Sequence, residues 1–261
     1  MNEELIMLKS SHLRIYVRKS EAFTYYATFV AGEYNKIHLD VDDIVIDAGA
    51  NVGDYTVKAG NIVKKGKVIA IEPNPNNVEI IKKNIILNKL YNVEVLPFAI
   101  SNVSGVAKLS GDSVGASIMQ DVENSLQVQT ITIEDILKKY CTTGKKVVMK
   151  MDIEGAEELV FRNPSFLKMV REISIELHGE KNIKEIPMIL KNNDYKIEEF
   201  SVIQQLKNTI FYIIRHPISF ISSERKTNMI AIKGLISAIA GKNPVPGIQN
   251  SQFRVMYAWK N

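Results

Sequence analysis

The sequence lacks the features that mark secreted, disulfide-bonded and membrane-spanning proteins. Its 261 residues include a single cysteine, Cys141, which excludes an internal disulfide and favours a reducing compartment. Residues 1–4 do not begin a basic segment followed by an apolar core, so no signal peptide is expected. No apolar run reaches the length of about 18 residues that indicates a spanning helix. The sequence therefore predicts a cytoplasmic protein.

The glycine motifs of two large nucleotide-binding classes are also absent. Residues 44–46 are apolar strand formers that lead into Asp47, and the glycines that follow are Gly49 and Gly53. This spacing is not the dinucleotide pattern G-x-G-x-x-G, and no Gly-Lys-Ser/Thr follows the strand as a P-loop requires. Because an acid so close to the turn would repel a pyrophosphate, the predicted ligand is cationic or rich in hydroxyl groups.

Basic charge is concentrated in one region of the chain. The net charge is +4, and residues 202–249 contain six basic residues against one acidic residue. Apolar residues in this region recur at helical spacing in two runs, at 203–214 and 230–239. Two amphipathic helices with a basic turn are predicted. They would suit an anionic membrane surface, an oligomer interface or a lid over the cleft.

Strands and helices alternate regularly from residue 44 onward. Repeated units of this kind predict an α/β fold with a mostly parallel sheet and helices on both faces. The predicted core strands are 44–47, 67–72, 93–100, 146–152, 172–178, 195–201 and 253–260, with helices at 53–64, 77–88, from 154, and at 183–192. Ligands of such sheets bind at the carboxyl ends of the strands.

An acid ends the second predicted strand. Glu72 lies 23 positions after Gly49 and could accept hydrogen bonds from both ribose hydroxyls of an adenosine group. Together, the glycine turn and this acid favour a nucleoside-containing ligand. An exposed acid at a strand end, without a ligand, is the alternative.

Three co-linear motifs resemble the FkbM-type S-adenosylmethionine (SAM)-dependent methyltransferases. The motifs are residues 44–53, residues 68–75 with Asn84 and Asn88, and the segment Lys-Met-Asp-Ile-Glu-Gly-Ala-Glu at 150–157. The resemblance covers roughly residues 40–201. It implies a Rossmann-like methyltransferase sheet of seven strands whose final strand is antiparallel, which suits residues 253–260. It also implies methyl transfer to an oxygen of a sugar, glycan or secondary metabolite.

The resemblance also implies which residues hold SAM. The residues assigned to the aminoacyl part are Asp47, Gly49, Ala50, Asn51 and Gly53. Glu72 would bind the ribose, and Ala99 and Ile100 would lie near the adenine. The N-terminal segment and residues 202–250 are outside the match, so the acceptor cannot be carried over.

Asp152, Glu154 and His178 are the candidate catalytic residues. They lie at the ends of the fourth and fifth predicted strands, where methyl transfer occurs in this fold. His178 could take a proton from an acceptor hydroxyl, although a lone histidine at a strand end is often structural. Lys150 could instead form a buried ion pair with Asp152 or Glu154. Asp152, Glu176 and His178 could hold a metal, but their spacing is not diagnostic and no metal site is predicted.

The sequence therefore predicts a SAM-dependent O-methyltransferase with a small-molecule or glycan acceptor. An RNA methyltransferase is the alternative motivated by the isoelectric point of 8.9. Against it, no Asn/Asp-Pro-Pro-Tyr motif follows the fourth strand, and no aromatic–basic RNA motif is evident. The predicted organisation is an N-terminal cap (1–40), a SAM-binding core (41–201), a basic helical insertion (202–250) and a final core strand (251–261).

Overall fold

The computed structural model describes residues 4–110, 117–118, 126–141, 147–215 and 252–260. The strands are β1 (Leu5–Ser10), β2 (Leu13–Arg18), β3 (Ile44–Ala48), β4 (Lys67–Ile71), β5 (Val93–Leu96), β6 (Ala99–Ile100), β7 (Gly105–Ser110), β8 (Ser117–Ile118), β9 (Leu126–Ile131), β10 (Val147–Met151), β11 (Val170–His178), β12 (Lys196–Glu199) and β13 (Phe253–Trp259). The α-helices are α1 (Ala22–Tyr25), α2 (Asp54–Ile62), α3 (Pro75–Leu87), α4 (Ile133–Tyr140), α5 (Glu157–Phe161), α6 (Glu180–Asn192) and α7 (Val202–Arg215).

The predicted seven-stranded sheet is confirmed. Its strand order is β12-β13-β11-β10-β3-β4-β5, and β13 runs antiparallel to both of its neighbours. The pairs β11–β10, β10–β3, β3–β4 and β4–β5 are parallel. The central strands are buried on both faces, which explains why the sequence reads there as continuous apolar runs. The carboxyl ends of β3, β4, β10 and β11 therefore meet at one edge.

The predicted strand 93–100 is wrong as a single element. It is divided into β5, which joins the main sheet, and β6, which pairs in parallel with β9 in a separate four-stranded sheet of order β6-β9-β7-β8. Pro97 lies between them and has no N–H to donate to a sheet. The chain therefore changes sheets at the proline.

The N-terminal segment forms a hairpin and a helical cap. Strands β1 and β2 pair with each other, and residues 19–31 continue as a 3₁₀ turn, α1 and a π-helical stretch, Tyr26–Ala31. Apolar side chains of this segment pack against Val52, Val57 and Ile80 at the start of α2 and on α3. The cap thus covers the helix that follows the glycine turn.

Asn84 of α3 and Asn88, which follows the last residue of α3, bind the edge of β2 as a neighbouring strand would. The Asn84 amide accepts from the Tyr16 N–H (2.7 Å) and donates to the Tyr16 carbonyl (2.9 Å) and the Val52 carbonyl (2.8 Å). The Asn88 amide exchanges the same pair of hydrogen bonds with the backbone of Arg14, at 2.9 and 2.6 Å. These amides therefore fix the hairpin to the core.

We expect Asn84→Ala to lower the free energy of unfolding by about 2–3 kcal/mol, because it leaves buried backbone groups without partners. Asn84 is fully buried. Asn88→Ala is the matched control, since its hydrogen bonds to Arg14 are at an exposed site where water can replace them, and it should cost less than about 1 kcal/mol. Urea denaturation measures both. Equal losses would contradict the role given to burial.

Helix α7 packs through polar side chains. Gln205, Thr209 and Tyr212 are buried, and Thr209 and Tyr212 share hydrogen bonds with Tyr26 (2.9 Å) and Tyr25 (3.1 Å) of the cap. The apolar residues that predicted the helix lie on its other side: Ile203, Ile210, Phe211 and Ile214 are between 48% and 70% exposed. The second predicted helix, 230–239, lies outside the described residues. A docking role for 202–250 stays a prediction.

Among the helices placed by the structure, none is long and apolar enough to cross a membrane.

Candidate functional site

The turn between β3 and α2 adopts a left-handed backbone at alternate positions. Gly49, Asn51 and Gly53 have φ angles of 75°, 47° and 83°. The N–H groups of Gly49 and Ala50 both donate to the Ile71 carbonyl, at 3.0 and 2.9 Å. A Cβ at Gly49 would lie 1.7 Å from the Asp152 carbonyl oxygen. The turn therefore lies directly against the exit of β10, and only glycine fits its first position.

Glu72 lies at the end of β4 beside this turn. Its carboxylate accepts from the N–H groups of Asn51 (2.8 Å) and Asn74 (2.9 Å) and from the Asn77 amide (3.2 Å). Burial raises the pKa of Glu72 to about 7 in spite of these hydrogen bonds. Its Oε2 atom accepts from the Asn51 N–H alone among the described residues, which leaves capacity for a ligand hydroxyl.

Asp47 and Glu72 leave the sheet on the same face. Asp47 is the register partner of Ala70, and Ala70 precedes Glu72 by two residues. Asp47 itself has no exposed surface and accepts a hydrogen bond of 2.5 Å from Thr56. Burial raises the pKa of Asp47, and the charge of Lys150 opposes that shift. Asp47 therefore stabilises the turn from within the protein, and its side chain is not part of the accessible surface of the turn.

Lys150 is a buried cation at the centre of the site. Its ammonium donates to the Gly49 carbonyl (2.7 Å) and lies 3.8 Å from Asp47 and 3.6 Å from Asp152. Burial alone would lower the pKa of Lys150, but the charges of Asp152 and Asp47 outweigh it and raise that pKa well above its usual range. The ion pair that the sequence offered as an alternative is therefore present, between Lys150 and two aspartates.

The cap contributes residues that the sequence did not indicate. The Thr28 hydroxyl donates to Asp54 at the start of α2, and the Tyr34 hydroxyl donates to Glu176 on β11. Glu33 is 3% exposed, and burial followed by the charge of Glu176 raises its pKa well above its usual range. Their partners are distant in sequence, so no local spacing could have revealed them. The sign that the sequence did offer was the pair Glu33 and Tyr34, two polar side chains that follow Gly32 and a largely apolar segment.

Buried carboxylates outnumber the buried cations around Lys150. The carboxylates whose pKa values respond to the charge of Lys150 are Glu33, Asp47, Asp54, Glu72 and Glu176. Within the described part of the chain, five of the seven buried side-chain oxygens without a hydrogen-bond partner belong to the cap, to β3 and its glycine turn, and to the segments after β4 and β10: Glu33 Oε1, Asp47 Oδ1, Asn51 Oδ1, Asn77 Oδ1 and Asp152 Oδ1. Unpaired buried acceptors are costly. The site therefore suits a ligand that brings positive charge and hydrogen-bond donors.

The ends of β10 and β11 bring the three predicted catalytic residues together. His178 Nε2 lies 3.5 Å from Glu154 and 4.0 Å from Asp152, and its Nδ1 lies 3.0 Å from Glu157. Burial would lower the pKa of His178, but the hydrogen bond with Glu157 and the charge of Asp152 raise it to about 9. Glu176 points instead to Tyr34, and burial raises its pKa to about 8. The sequence did not indicate Glu157.

Ala99 and Ile100 form β6, and both side chains are buried. Ile100 packs in the main core, whereas Ala99 packs with Leu109 and Val128 of the smaller sheet. Their side chains therefore belong to the two cores. Contact with an adenine remains a prediction.

Known methyltransferases resemble parts of this chain to different extents. A model of the family described as "Methyltransferase FkbM domain" matches residues 47–197. Methyltransferase sdnD from Sordaria araneosa is 23% identical over 233 residues, which cover 73% of this chain and 89% of sdnD. The tRNA (guanine(37)-N(1))-methyltransferase Trm5b from Methanocaldococcus jannaschii is 34% identical over 91 residues, which cover 34% of this chain and 26% of that protein.

A solved structure shares the fold. The crystal structure of methyltransferase FkbM from Methylobacillus flagellatus KT superposes with a TM-score of 0.51 at 13% sequence identity. The superposition covers 90% of this chain and 48% of that one, so the chain spans about half of that protein. At this identity the likeness supports the Rossmann-like methyltransferase fold alone.

Proposed function

Because the chain belongs to the methyltransferase FkbM family, we propose that it transfers a methyl group from SAM to a hydroxyl group of a sugar, glycan or secondary metabolite. The observation that carries this proposal is the excess of buried carboxylates around Lys150, beside the glycine turn. SAM carries a sulfonium and an ammonium, so it would supply the positive charge that this cluster lacks.

The chain offers separate groups for each part of SAM. Glu33, with an unpaired buried oxygen, suits the ammonium, and the Asn51 side chain has an unpaired oxygen at the turn. Glu72 suits the ribose hydroxyls. Gly49, Ala50 and Gly53 contribute close backbone approach, while Asp47 acts through Lys150 and Thr56. The residues present therefore fit the cofactor.

Asp152, Glu154 and His178 would position the acceptor. When bound, SAM supplies a methyl group on a positively charged sulfur, which keeps the C–S bonding electrons when the methyl leaves. The carboxylates of Asp152 and Glu154 would orient the acceptor hydroxyl, and its proton would pass to solvent. His178 Nε2 lies 3.5 Å from Glu154 and 4.0 Å from Asp152, so the imidazole would help to hold these carboxylates in place. Orienting the two reactants would supply much of the rate.

The charge of this edge favours a neutral or cationic acceptor over nucleic acid. Asp152 and Glu154 lie beside His178 Nε2 and would repel phosphates. Filter binding of RNA at low and high salt tests this, since phosphate contacts impose a steep dependence on salt. Tight, salt-dependent RNA retention would favour the RNA methyltransferase alternative.

We expect Glu72→Gln to weaken binding of S-adenosylhomocysteine by roughly 10- to 100-fold, because a charge-assisted hydrogen bond to the ribose is lost. The wild-type affinity should also fall as the pH is lowered from 8 to 6, since protonation of Glu72, with its pKa near 7, removes the acceptor charge. In the variant this pH dependence should be lost. Isothermal titration calorimetry at three pH values measures both effects.

Glu79→Gln is the matched control, because Glu79 lies on the exposed side of α3, and its affinity should equal that of the wild type. Failure of the wild-type protein to bind either SAM or S-adenosylhomocysteine would overturn the proposed function. Unchanged affinity in Glu72→Gln would remove only the ribose assignment.

A further inference from the structure

Three side chains at the exits of β10 and β11 bring one possible metal-ligand atom each close together. Nitrogen or oxygen atoms of Asp152, Glu154 and His178 all lie within 4.8 Å of one another. Donor atoms bound to one divalent cation at about 2.0–2.3 Å are separated by roughly 3–4.5 Å. The spacing therefore fits a cation with these three ligands.

A buried carboxylate holds the imidazole in the required orientation. Glu157 is fully buried, and one of its oxygens lies 3.0 Å from His178 Nδ1. Its other oxygen accepts from the Asn182 amide at 3.1 Å, and that amide also donates to the His178 carbonyl at 2.9 Å. A carboxylate on the second ring nitrogen is the usual companion of a metal-bound histidine. It leaves Nε2 facing Asp152 and Glu154.

Asp152 has a buried oxygen that the protein does not satisfy. Its Oδ2 faces Lys150 at 3.6 Å, whereas its Oδ1, on the His178 side, has no hydrogen-bond partner among the described residues. A proton on His178 Nε2 can form one hydrogen bond, and the nearer acceptor is Glu154 at 3.5 Å. An imidazolium therefore does not account for Asp152 Oδ1. A cation bound by all three residues does.

We propose that Asp152, Glu154 and His178 bind a divalent metal ion. The set of one imidazole and two carboxylates favours a first-row ion such as Mn²⁺ or Zn²⁺ over the all-oxygen sites of Ca²⁺. From the sequence, Asp152, Glu176 and His178 were a conceivable ligand set whose spacing was not diagnostic, and no metal site was predicted. The structure replaces Glu176, which pairs with Tyr34, by Glu154.

Three protein ligands leave coordination positions open for an acceptor. This consequence rests on the proposed function: a hydroxyl bound to the cation would release its proton to solvent more readily than a free hydroxyl. Its oxygen would form the bond to the methyl carbon as the carbon–sulfur bond of SAM breaks and the sulfur keeps the electron pair. Acceptors with adjacent oxygen atoms, which can chelate the ion, would be favoured.

Mn²⁺ is the probe for the test, because its electron paramagnetic resonance signal reports the free ion. The wild-type protein should bind one Mn²⁺ per chain. We expect His178→Ala and Glu154→Gln each to weaken this binding at least tenfold. Glu158→Gln is the matched control, since Glu158 lies on the same short helix as Glu157 but faces solvent with Arg162 and Lys181, and it should bind like the wild type. Titration of each variant with S-adenosylhomocysteine reports the cofactor site separately.

A second measurement needs no variant. The chain has four histidines. In the proton NMR spectrum of the wild-type protein, Mn²⁺ should broaden the imidazole signals of His178 and leave those of His12 and His38 sharp. Absence of Mn²⁺ binding at millimolar concentration, equal binding by all variants, or uniform broadening would overturn the metal site. A wild-type protein that binds Mn²⁺ but not S-adenosylhomocysteine would retain the metal site and contradict the proposed function.

Discussion

Replacing Lys150 with methionine should lower the free energy of unfolding by about 3–5 kcal/mol at pH 8, because it leaves buried carboxylates without their shared cation. The ammonium contacts Gly49, Asp47 and Asp152, and Lys150 is 4% exposed. The same variant should lose measurable cofactor binding, since Gly49 would lose the hydrogen bond that fixes the turn. Denaturant unfolding and calorimetric titration measure these two effects.

The loss of unfolding free energy in Lys150→Met should be larger at pH 8 than at pH 5. The pKa values of Asp54 and Glu72 are raised by burial to about 6 and about 7, and Lys150 opposes both shifts. Without Lys150 both values rise further. A carboxyl with a raised pKa in the folded state stabilises the fold at low pH and loses that contribution as the pH passes its folded pKa. A loss of unfolding free energy that does not change with pH would contradict the effect of Lys150 on the pKa values of Asp54 and Glu72.

Lys181→Met provides the comparison for Lys150→Met. Lys181 makes a 2.7 Å ion pair with Glu158, but both side chains are exposed. Exposed pairs contribute little, so a change below about 1 kcal/mol is expected. Similar losses in the two variants would mean that burial does not set the importance of Lys150.

Gly49→Ala should prevent stable folding or cost more than about 4 kcal/mol. A Cβ at this position would lie 1.7 Å from the carbonyl oxygen of Asp152, a backbone atom in the loop after β10 that cannot move without disturbing the sheet. The left-handed φ of 75° adds strain for any residue other than glycine. Soluble expression and thermal unfolding measure the effect.

Gly53→Ala separates steric collision from backbone strain. Gly53 has a similar φ of 83°, but the nearest atoms to its Cβ would be side-chain carbons of Ile81 at 3.2 Å, which can shift slightly. We expect a loss of about 1–2 kcal/mol with retention of the fold. Equal destabilisation of the two alanine variants would mean that the close approach of Gly49 to Asp152 is not what requires glycine at position 49.

The sheet was predictable because its strands are buried on both faces and are separated by amphipathic helices. Residues 44–48, 67–71 and 147–151 appear as apolar runs that end in acids or glycines, and these local signals fix the edge where the ligand should bind. The division at Pro97 was missed, because the apolar pattern continues across it and the choice of sheet depends on β9, about 30 residues away.

The candidate site was predictable where a residue lies at the end of a core strand or in the loop that follows it. Asp47, Glu72, Asp152, Glu154 and His178 meet that condition. Glu33 does not: it lies in the cap, and its importance arises from burial beside Glu176. Helix α7 shows the same limit, since its apolar periodicity predicted a helix but its polar side chains, including Thr209, make the buried contacts. In both cases, contacts between residues distant in sequence determine which side chains are buried.

Strand β13 lies between β11 and β12, although it follows both in the sequence. The sheet therefore cannot be completed until residues 253–259 have been synthesised. A ribosome that has made residue 199 has already produced both neighbours of the missing strand, yet more than fifty further residues must be translated before residues 253–259 are available. Until then the nascent chain presents two unpaired strand edges, which are prone to bind other chains. Protection by chaperones should therefore matter most during that interval.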